Sequence, residues 1–263
     1  MTDMPYLIAN WKMNLDGSSV DRFLRSFDWH DAAVAASQII IAPSYVFIPR
    51  VRMALADTAV AVAGQDMHWE ERGAFTGAVA ARQLVDVGCR FVIIGHSERR
   101  AHFHDTDEDV NRKVHAAIRH RLRPIICFGE SYAEKDAGQT KQVIHDRVTA
   151  ALRDVRAADA RTVLLAYEPL WAISTSTDVA EPMADSPESA QVVHKLIRHA
   201  IAELYDTHVA DSVRVLYGGS VDAHNVAGYA AMDDIDGVLV GGASTDPSSF
   251  MQVVKAYHST RSI

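Results

Sequence analysis

Cysteine is scarce in this sequence: only Cys89 and Cys127 occur among 263 residues, far apart and in apolar surroundings. Two isolated thiols cannot supply the disulfide framework on which small secreted proteins depend. The pattern therefore favours reduced core thiols and a cytoplasmic location. Long hydrophobic runs are also lacking, since no stretch reaches the ~18 apolar residues that a membrane-spanning helix needs. We therefore expect no membrane partner.

An excess of positive charge is missing as well, because 26 Lys and Arg face 34 Asp and Glu, a formal net charge of −8. General affinity for nucleic acids is therefore not expected, and an anionic substrate would need a local binding device. Thirteen histidines occur, but no His-x-x-x-His or Cys-rich spacing predicts a metal site. No Gly-x-Gly-x-x-Gly follows the first predicted strand, which disfavours a dinucleotide-binding fold.

Short β-branched runs are present from end to end, and they alternate with longer amphipathic segments. The runs are continuously apolar, which is typical of parallel strands covered on both faces. Apolar residues in the longer segments recur at three- and four-residue steps, as on the buried face of a helix. The predicted strands cover residues 6–9, 38–42, 59–64, 91–95, 124–127, 162–167, 213–217 and 237–240. Helices are predicted over residues 20–27, 80–87, 108–119, 139–152, 190–204 and 248–257.

Eight strand–helix units in about 250 residues are typical of a (β/α)8 barrel. The sequence contains no linker and no low-complexity break, so a single domain over residues 1–263 is predicted. A doubly wound sheet is the alternative, and the missing glycine fingerprint counts against it.

Functional residues of such barrels lie on the loops after the strand ends. Three of these loops contain an ionisable residue that could take part in catalysis. Lys12 follows the first predicted strand, His96 the fourth and Glu168 the sixth. A lone glutamate at a strand end is more typical of a surface ion pair. The apolar residues that follow Glu168, however, suit a base that works away from water.

His96 directly precedes a possible helix start at Ser97. The positive end of a helix disfavours a protonated imidazole, so a neutral His96 is expected. A neutral imidazole can donate a hydrogen bond to a carbonyl and exchange protons at an enediolate.

Two glycine pairs, Gly218-Gly219 before Ser220 and Gly241-Gly242, follow the last two predicted strands. Without a Cβ atom the backbone can approach an anion closely, and phosphate sites of barrels commonly lie at these two loops. Together the pairs indicate a phosphate site.

Six motifs of the sequence together resemble the triosephosphate isomerase family, from residue 6 to about residue 257. They are Asn10-Trp11-Lys12-Met13-Asn14, Gly73-Ala74-Phe75-Thr76-Gly77, Ile94-Gly95-His96-Ser97-Glu98-Arg99-Arg100, Ala166-Tyr167-Glu168-Pro169, Tyr217-Gly218-Gly219-Ser220-Val221 and Val240-Gly241-Gly242-Ala243-Ser244. The resemblance implies a cofactor-independent isomerase of a small phosphorylated sugar. The implied reaction interconverts dihydroxyacetone phosphate and glyceraldehyde 3-phosphate in glycolysis and gluconeogenesis.

The resemblance, rather than the residue pattern, supplies the catalytic roles. It implies that Glu168 transfers a proton between neighbouring carbons and that His96 moves protons between the two oxygens. Asn10 and Lys12 would stabilise the enediolate, and Glu98 would support Lys12.

The same resemblance implies which residues bind phosphate and which form a dimer. Ser220, Gly241, Gly242 and the amide of Ser174 would hold the phosphate. A lid loop at about 169–187 would contain Ser174. An arm at about 65–78, from Gln65 to Gly77, would make a homodimer.

Two departures from the family pattern stand out. The lid tip reads Ile173-Ser174-Thr175-Ser176-Thr177 where the family has Ile-Gly-Thr-Gly-Lys, and an insertion within residues 178–187 lengthens the loop. Ala78 replaces a glutamate that pairs with the arginine matching Arg99, which weakens a polar link expected at the dimer interface.

These departures leave three hypotheses about function. The first is a triosephosphate isomerase with a divergent lid. The second is an isomerase of a four-carbon ketose phosphate such as erythrulose phosphate, because a longer lid could make room for one more carbon. The third is a non-catalytic phosphometabolite-binding protein, against which the Glu168, His96 and Lys12 set argues.

Overall fold

The computed structural model describes residues 4–173 and 185–259. Eight parallel strands follow one another around a closed barrel in chain order, from β1 to β8 and back to β1. They are β1 Tyr6–Asn10, β2 Gln38–Ala42, β3 Ala61–Gly64, β4 Phe91–Ile94, β5 Arg123–Phe128, β6 Leu164–Tyr167, β7 Arg214–Tyr217 and β8 Gly237–Val240.

Helices connect the strands on the outside of the barrel. They are α1 Gly17–Ser26, α2 Ala32–Ala35, α3 Ile48–Ala54, α4 Ala81–Asp86, α5 Ser97–Phe103, α6 Asp107–Arg119, α7 Tyr132–Asp136, α8 Thr140–Leu152, α9 Ala157–Ala160, α10 Pro187–Leu204, α11 Thr207–Ser212, α12 Val226–Ala230 and α13 Pro247–His258. Single 3₁₀ turns occur at Tyr45–Phe47, Leu170–Ala172 and Gly242–Ser244. Over this part of the chain, no helix is both long and apolar enough to cross a membrane.

The predicted single-domain (β/α)8 barrel is confirmed, and every predicted strand lies within two residues of an observed one. Two helices begin three residues earlier than predicted, because polar caps precede their apolar stripes. Asp16 caps α1 by accepting from the amide of Ser19, and Ser186 caps α10 in the same way, with Pro187 in its first turn. Caps of this kind satisfy amides that have no partner within the helix.

The strands are continuously apolar because their two faces enter two different cores. Ile8 and Ile40 are fully buried inside the barrel. Their neighbours Leu7, Ile39 and Ile41 point outward into the layer between sheet and helices. Successive side chains of a strand alternate between faces, so both faces must be apolar here. The parallel register brings the carboxyl ends of the strands to one mouth, where the loops meet.

Candidate active site

A cavity of about 230 Å³ lies at the carboxyl-terminal mouth of the barrel. It collects nearly all of the residues that the sequence singled out, although they come from five different loops. Its walls include Asn10, Lys12, His96, Glu168, Ile173, Ser220, Gly241 and Gly242. Glu98 stands beside the cavity through its contact with Lys12. Ser174 lies outside the described residues.

Glu168 follows β6 and is almost completely buried, with 1% of its surface exposed. Its Oε2 accepts a hydrogen bond from the amide of Ser97 at 3.1 Å. Its Oε1 lies 3.3 Å from His96 Nε2, and this oxygen accepts no hydrogen bond from the described residues. Gly218 makes room for the side chain, since a Cβ there would lie 2.9 Å from Glu168 Cγ. The carboxylate is therefore held through one oxygen while the other stays available for chemistry.

His96 is the N-cap of α5, so the expected helix start at Ser97 is confirmed. The amide of Glu98 donates to His96 Nδ1 at 3.2 Å. An accepting Nδ1 carries no proton, which assigns the proton of the neutral ring to Nε2. The Nε2–H group then faces Glu168 at the cavity wall. This tautomer presents a hydrogen-bond donor to a bound carbonyl.

Lys12 adopts a left-handed backbone conformation with φ of 50°, which a side chain other than glycine rarely takes. Polar contacts hold it there: its amide donates to Asn10 Oδ1, and its carbonyl accepts from Gln65 Nε2 at 2.8 Å and Ser44 Oγ at 3.0 Å. Lys12 Nζ lies 2.6 Å from Glu98 Oε1. The strained turn thus aims the ammonium group into the mouth.

The two glycine loops flank the same cavity. A Cβ on Gly242 would stand in open space, and one on Gly241 would lie 3.5 Å from Lys12 Cε. The missing side chains therefore leave room for a ligand beside a cation. On the neighbouring loop, the amide of Ser220 donates to the carbonyl of Ala172 at 3.0 Å. This arrangement suits an anion at the edge of the cavity.

Two groups near Glu168 were missed by the sequence argument. Glu130, after β5, is 1% exposed, and its Oε1 accepts from Tyr167 Oη at 2.9 Å and Trp171 Nε1 at 3.5 Å. Burial raises the pKa of Glu130. Cys127 is fully buried, and this burial, together with the charge of Glu168, raises the pKa of its thiol. Neither residue carried a motif that would have distinguished it from a surface glutamate or a core thiol.

At the base of the arm, Arg99 has two carboxylate partners although Ala78 replaces the family's glutamate. Its Nε lies 3.0 Å from Asp66 and 2.9 Å from Asp105. Lys113 contacts the same two carboxylates at 2.8 and 2.6 Å. Burial raises the pKa of Asp66. Burial acts on Asp105 too, but hydrogen bonds from Arg99 and Lys113 outweigh it and lower the pKa. The arginine is thus paired within its own chain.

Among residues 4–173 and 185–259, no group of three or more His, Cys, Asp or Glu is placed to hold a metal ion. A closed (β/α)8 barrel with a buried glutamate, a histidine and a lysine at one mouth lined by glycines is typical of isomerases of small phosphorylated sugars. The chain belongs to the triosephosphate isomerase family, whose family model matches residues 5–257.

Bacterial relatives agree with this membership. A triosephosphate isomerase of Chloroflexus aurantiacus is 41% identical over 251 residues, which is 95% of this chain and 98% of that protein. Triosephosphate isomerases of Ligilactobacillus salivarius and Geobacter metallireducens are each 40% identical over 250 residues, 95% of this chain and 97% of theirs. The family resemblance stated from the six sequence motifs is therefore confirmed.

Proposed function

We propose that the protein interconverts dihydroxyacetone phosphate and glyceraldehyde 3-phosphate by proton transfer through an enediolate. One observation carries this proposal. Glu168 Oε1 has no hydrogen bond from the described residues and lies 3.3 Å from His96 Nε2, within the cavity that Lys12 and the glycine loops also line. A protein that only binds phosphates has no need of such a proton-transfer pair.

The base is Glu168 in this proposal. It removes a proton from C1 of dihydroxyacetone phosphate while His96 Nε2 gives its proton to the C2 carbonyl oxygen. His96 then takes the proton of the C1 hydroxyl, and Glu168 delivers its own proton to C2. The steps balance without an oxidant or reductant. Burial of Glu168 keeps water away from the intermediate and strengthens each electrostatic contact with it.

Lys12 and Asn10 supply the electrostatic stabilisation. Lys12 places a positive charge beside Gly241 and is 2.6 Å from Glu98, which fixes its side chain. Because the strained turn at Lys12 holds the ammonium in place before substrate arrives, little reorganisation is needed in the transition state. Asn10 fixes that turn through the amide of Lys12.

The phosphate would lie against Ser220, Gly241 and Gly242, which meet at the cavity edge next to Lys12. Ser174 is proposed as a further phosphate ligand from the family pattern alone. Beyond Ile173, the lid tip that raised the four-carbon hypothesis lies outside the described residues, so the three-carbon substrate rests on the relatives and on the catalytic set.

A substrate panel tests this proposal. Glyceraldehyde 3-phosphate and tetrulose phosphates are compared by kcat/KM at equal enzyme concentration, and we expect the triose to be preferred. Faster turnover of the tetruloses would move the assignment to the four-carbon isomerase. No turnover of any sugar phosphate, in a protein that still binds inorganic phosphate, would leave the binding-protein hypothesis.

We also propose that the arm from Gln65 to Gly77 makes a homodimer, with Thr76 near the partner's mouth. Exposed apolar side chains occur in the arm and next to residues that contact its base. Phe75, within the arm, is 46% exposed. Met13 is 93% exposed and follows Lys12, whose carbonyl accepts from Gln65. Val46 is 78% exposed and follows Tyr45, whose hydroxyl donates to the Asp66 carbonyl. Exposed apolar groups of this size are typical of an interface. The arm base is tied to the barrel, because Gln65 Nε2 donates to the Ala42 carbonyl.

Light scattering after size-exclusion chromatography tests the dimer. We expect the unaltered chain to have the mass of two chains, and Phe75→Ser to shift the equilibrium toward monomer. Val192→Ser is the matched control, since Val192 is 61% exposed and lies on α10, outside the arm. A monomeric unaltered chain would remove the dimer from the proposal.

A cytoplasmic location is proposed from the thiols. Cys89 and Cys127 are both free and buried, and burial raises the pKa of Cys89 to about 12. Inert, unpaired thiols suit a reducing compartment. Cell fractionation with antibody detection tests this location.

A further inference from the structure

One lysine contacts both segments that flank residues 174–184. Lys135 lies on α7, and its Nζ is 3.4 Å from the centroid of the Trp171 ring. The same atom is 3.8 Å from Oδ1 of Asp185. Trp171 lies shortly before residues 174–184, and Asp185 comes directly after them. A single ammonium group therefore links residues on either side of residues 174–184.

The Trp171 side of this link leads to the cavity. Trp171 stands in the 3₁₀ turn Leu170–Ala172, and the next residue, Ile173, lines the cavity wall. The carbonyl of Ala172 accepts from the amide of Ser220, which belongs to the proposed phosphate loop. A shift of the indole would therefore move Ile173 and Ser220 as well.

The Asp185 side leads to the same loop by another path. Only 3% of the Asp185 side chain is exposed, and its Oδ2 accepts no hydrogen bond from the described residues. Its backbone carbonyl accepts from Tyr229 Oη, and the Tyr229 ring stacks on Tyr217 with centroids 4.1 Å apart. Tyr217 ends β7 directly before Gly218.

Burial raises the pKa of Asp185, whereas a hydrogen bond from Ser189 and the charge of Lys135 lower it. A buried carboxylate is stable only when such a countercharge stays near.

We propose that Lys135 is a positioning residue that fixes Trp171 and Asp185 and thereby sets the places of Ile173 and Ser220 at the phosphate end of the cavity. This inference rests on the proposed function of that cavity. Lys135 itself touches no substrate in this scheme, and its effect is on binding more than on proton transfer. Lysine combines the two contacts because its ammonium can face an aromatic ring and a carboxylate at once.

Three single variants test the proposal. Lys135→Met keeps the aliphatic stem and removes the charge, Lys135→Arg keeps the charge, and Lys141→Met is the control on exposed helix surface nearby. We expect Lys135→Met to raise both KM and the dissociation constant of inorganic phosphate roughly three- to tenfold, the scale of one cation–π contact. kcat should change less than KM, Lys135→Arg should recover most of the loss, and Lys141→Met should match the unaltered protein.

A double-mutant cycle with Asp185→Asn adds a readout that a merely structural lysine would not give. If one ammonium links both segments, the losses in phosphate affinity from Lys135→Met and Asp185→Asn are not additive. Fully additive losses, or a Lys135→Met protein that binds phosphate as well as Lys141→Met does, would overturn the proposal. Phosphate binding is measured by calorimetry, so the result stands apart from turnover. Inactivity of the unaltered protein on triose phosphates would instead count against the proposed function.

Discussion

The mouth of the barrel and the base of the arm both contain buried charged groups, but these groups are paired to different extents. At the arm base, each carboxylate of Asp66 and Asp105 faces both Arg99 and Lys113 at 3.0 Å or less. At the mouth, Glu168 is more deeply buried, yet its Oε1 accepts no hydrogen bond from the described residues.

The physical consequences of the two arrangements differ. A fully paired buried network keeps the chain in one conformation, and it loses stability when any member is removed. A buried carboxylate with an unused oxygen is poorly stabilised on its own, and such sites persist where chemistry requires them. Removing a charge should therefore change turnover at the mouth and stability at the arm base.

The largest expected effect is at the mouth. Glu168→Gln keeps the size of the side chain and removes the base, so we expect kcat to fall by about 10³- to 10⁴-fold. Thermal unfolding should shift little, because the hydrogen bond from the Ser97 amide to Glu168 Oε2 can also be accepted by the amide oxygen of glutamine. Steady-state kinetics and a melting curve on the same sample check both parts. Turnover within tenfold of the unaltered protein would remove Glu168 as the base.

The second largest expected effect is a loss of stability at the arm base. Lys113→Met leaves the carboxylates of Asp66 and Asp105 with Arg99 alone, and we expect a loss of about 3 kcal/mol in unfolding free energy. Denaturant titration measures it. The double variant with Asp66→Asn should recover part of the loss, since one uncompensated carboxylate disappears. A Lys113→Met protein with unchanged stability would show that the network contributes nothing net.

The sequence predicted the mouth far better than the arm base, and the reason is physical. Lys12, His96 and Glu168 each lie one or two residues after the end of a strand, and parallel strands of a barrel must bring those ends together. Secondary structure alone therefore placed them at one site. Lys113 lies 47 residues from Asp66 on an amphipathic helix, where a lysine is expected on the solvent face. No local pattern records which loop packs over that helix.

The contacts of Lys135 with Trp171 and Asp185 could not be predicted either, because no local sequence pattern shows which loops pack together. Its partner Trp171 is one of the apolar residues that follow Glu168, and Asp185 falls within the insertion at residues 178–187. Only packing places both beside one ammonium group. Contacts between loops depend on side-chain packing that has no periodicity in sequence.

A third prediction concerns a buried histidine away from the mouth. His194 on α10 is completely buried, its Nδ1 donates to the Ala190 carbonyl at 2.7 Å, and burial lowers its pKa from 6.5 to about 4. The unfolded chain binds a proton here below pH 6.5, whereas the folded chain does so only near pH 4. Stability is therefore complete above pH 6.5 and declines toward pH 4, by about 3 kcal/mol from this group.

Unfolding free energies measured at several pH values over about three pH units, from about pH 7 to about pH 4, test this effect. His194→Gln removes the titrating group, so the variant should lose stability less steeply with falling pH than the unaltered protein does. The exposed His199 provides the matched control as His199→Gln. Parallel pH profiles for all three proteins would show that His194 does not set the acid limit.

The smallest expected effect restores the residue that the family has at position 78. If Ala78 had left Arg99 without a partner, Ala78→Glu would stabilise the arm base substantially. Arg99 already lies within 3.0 Å of both Asp66 and Asp105, however, and Ala78 is exposed. A third carboxylate on the surface adds a screened interaction and some repulsion from the first two, so we expect a change below about 1 kcal/mol.

Placing the same variant on an Asp66→Asn background sharpens the test, because the new glutamate then replaces a lost partner. The stabilisation by Ala78→Glu should be larger there than in the unaltered chain. Equal effects in both backgrounds would mean that Asp66 does not take the place of the family's glutamate.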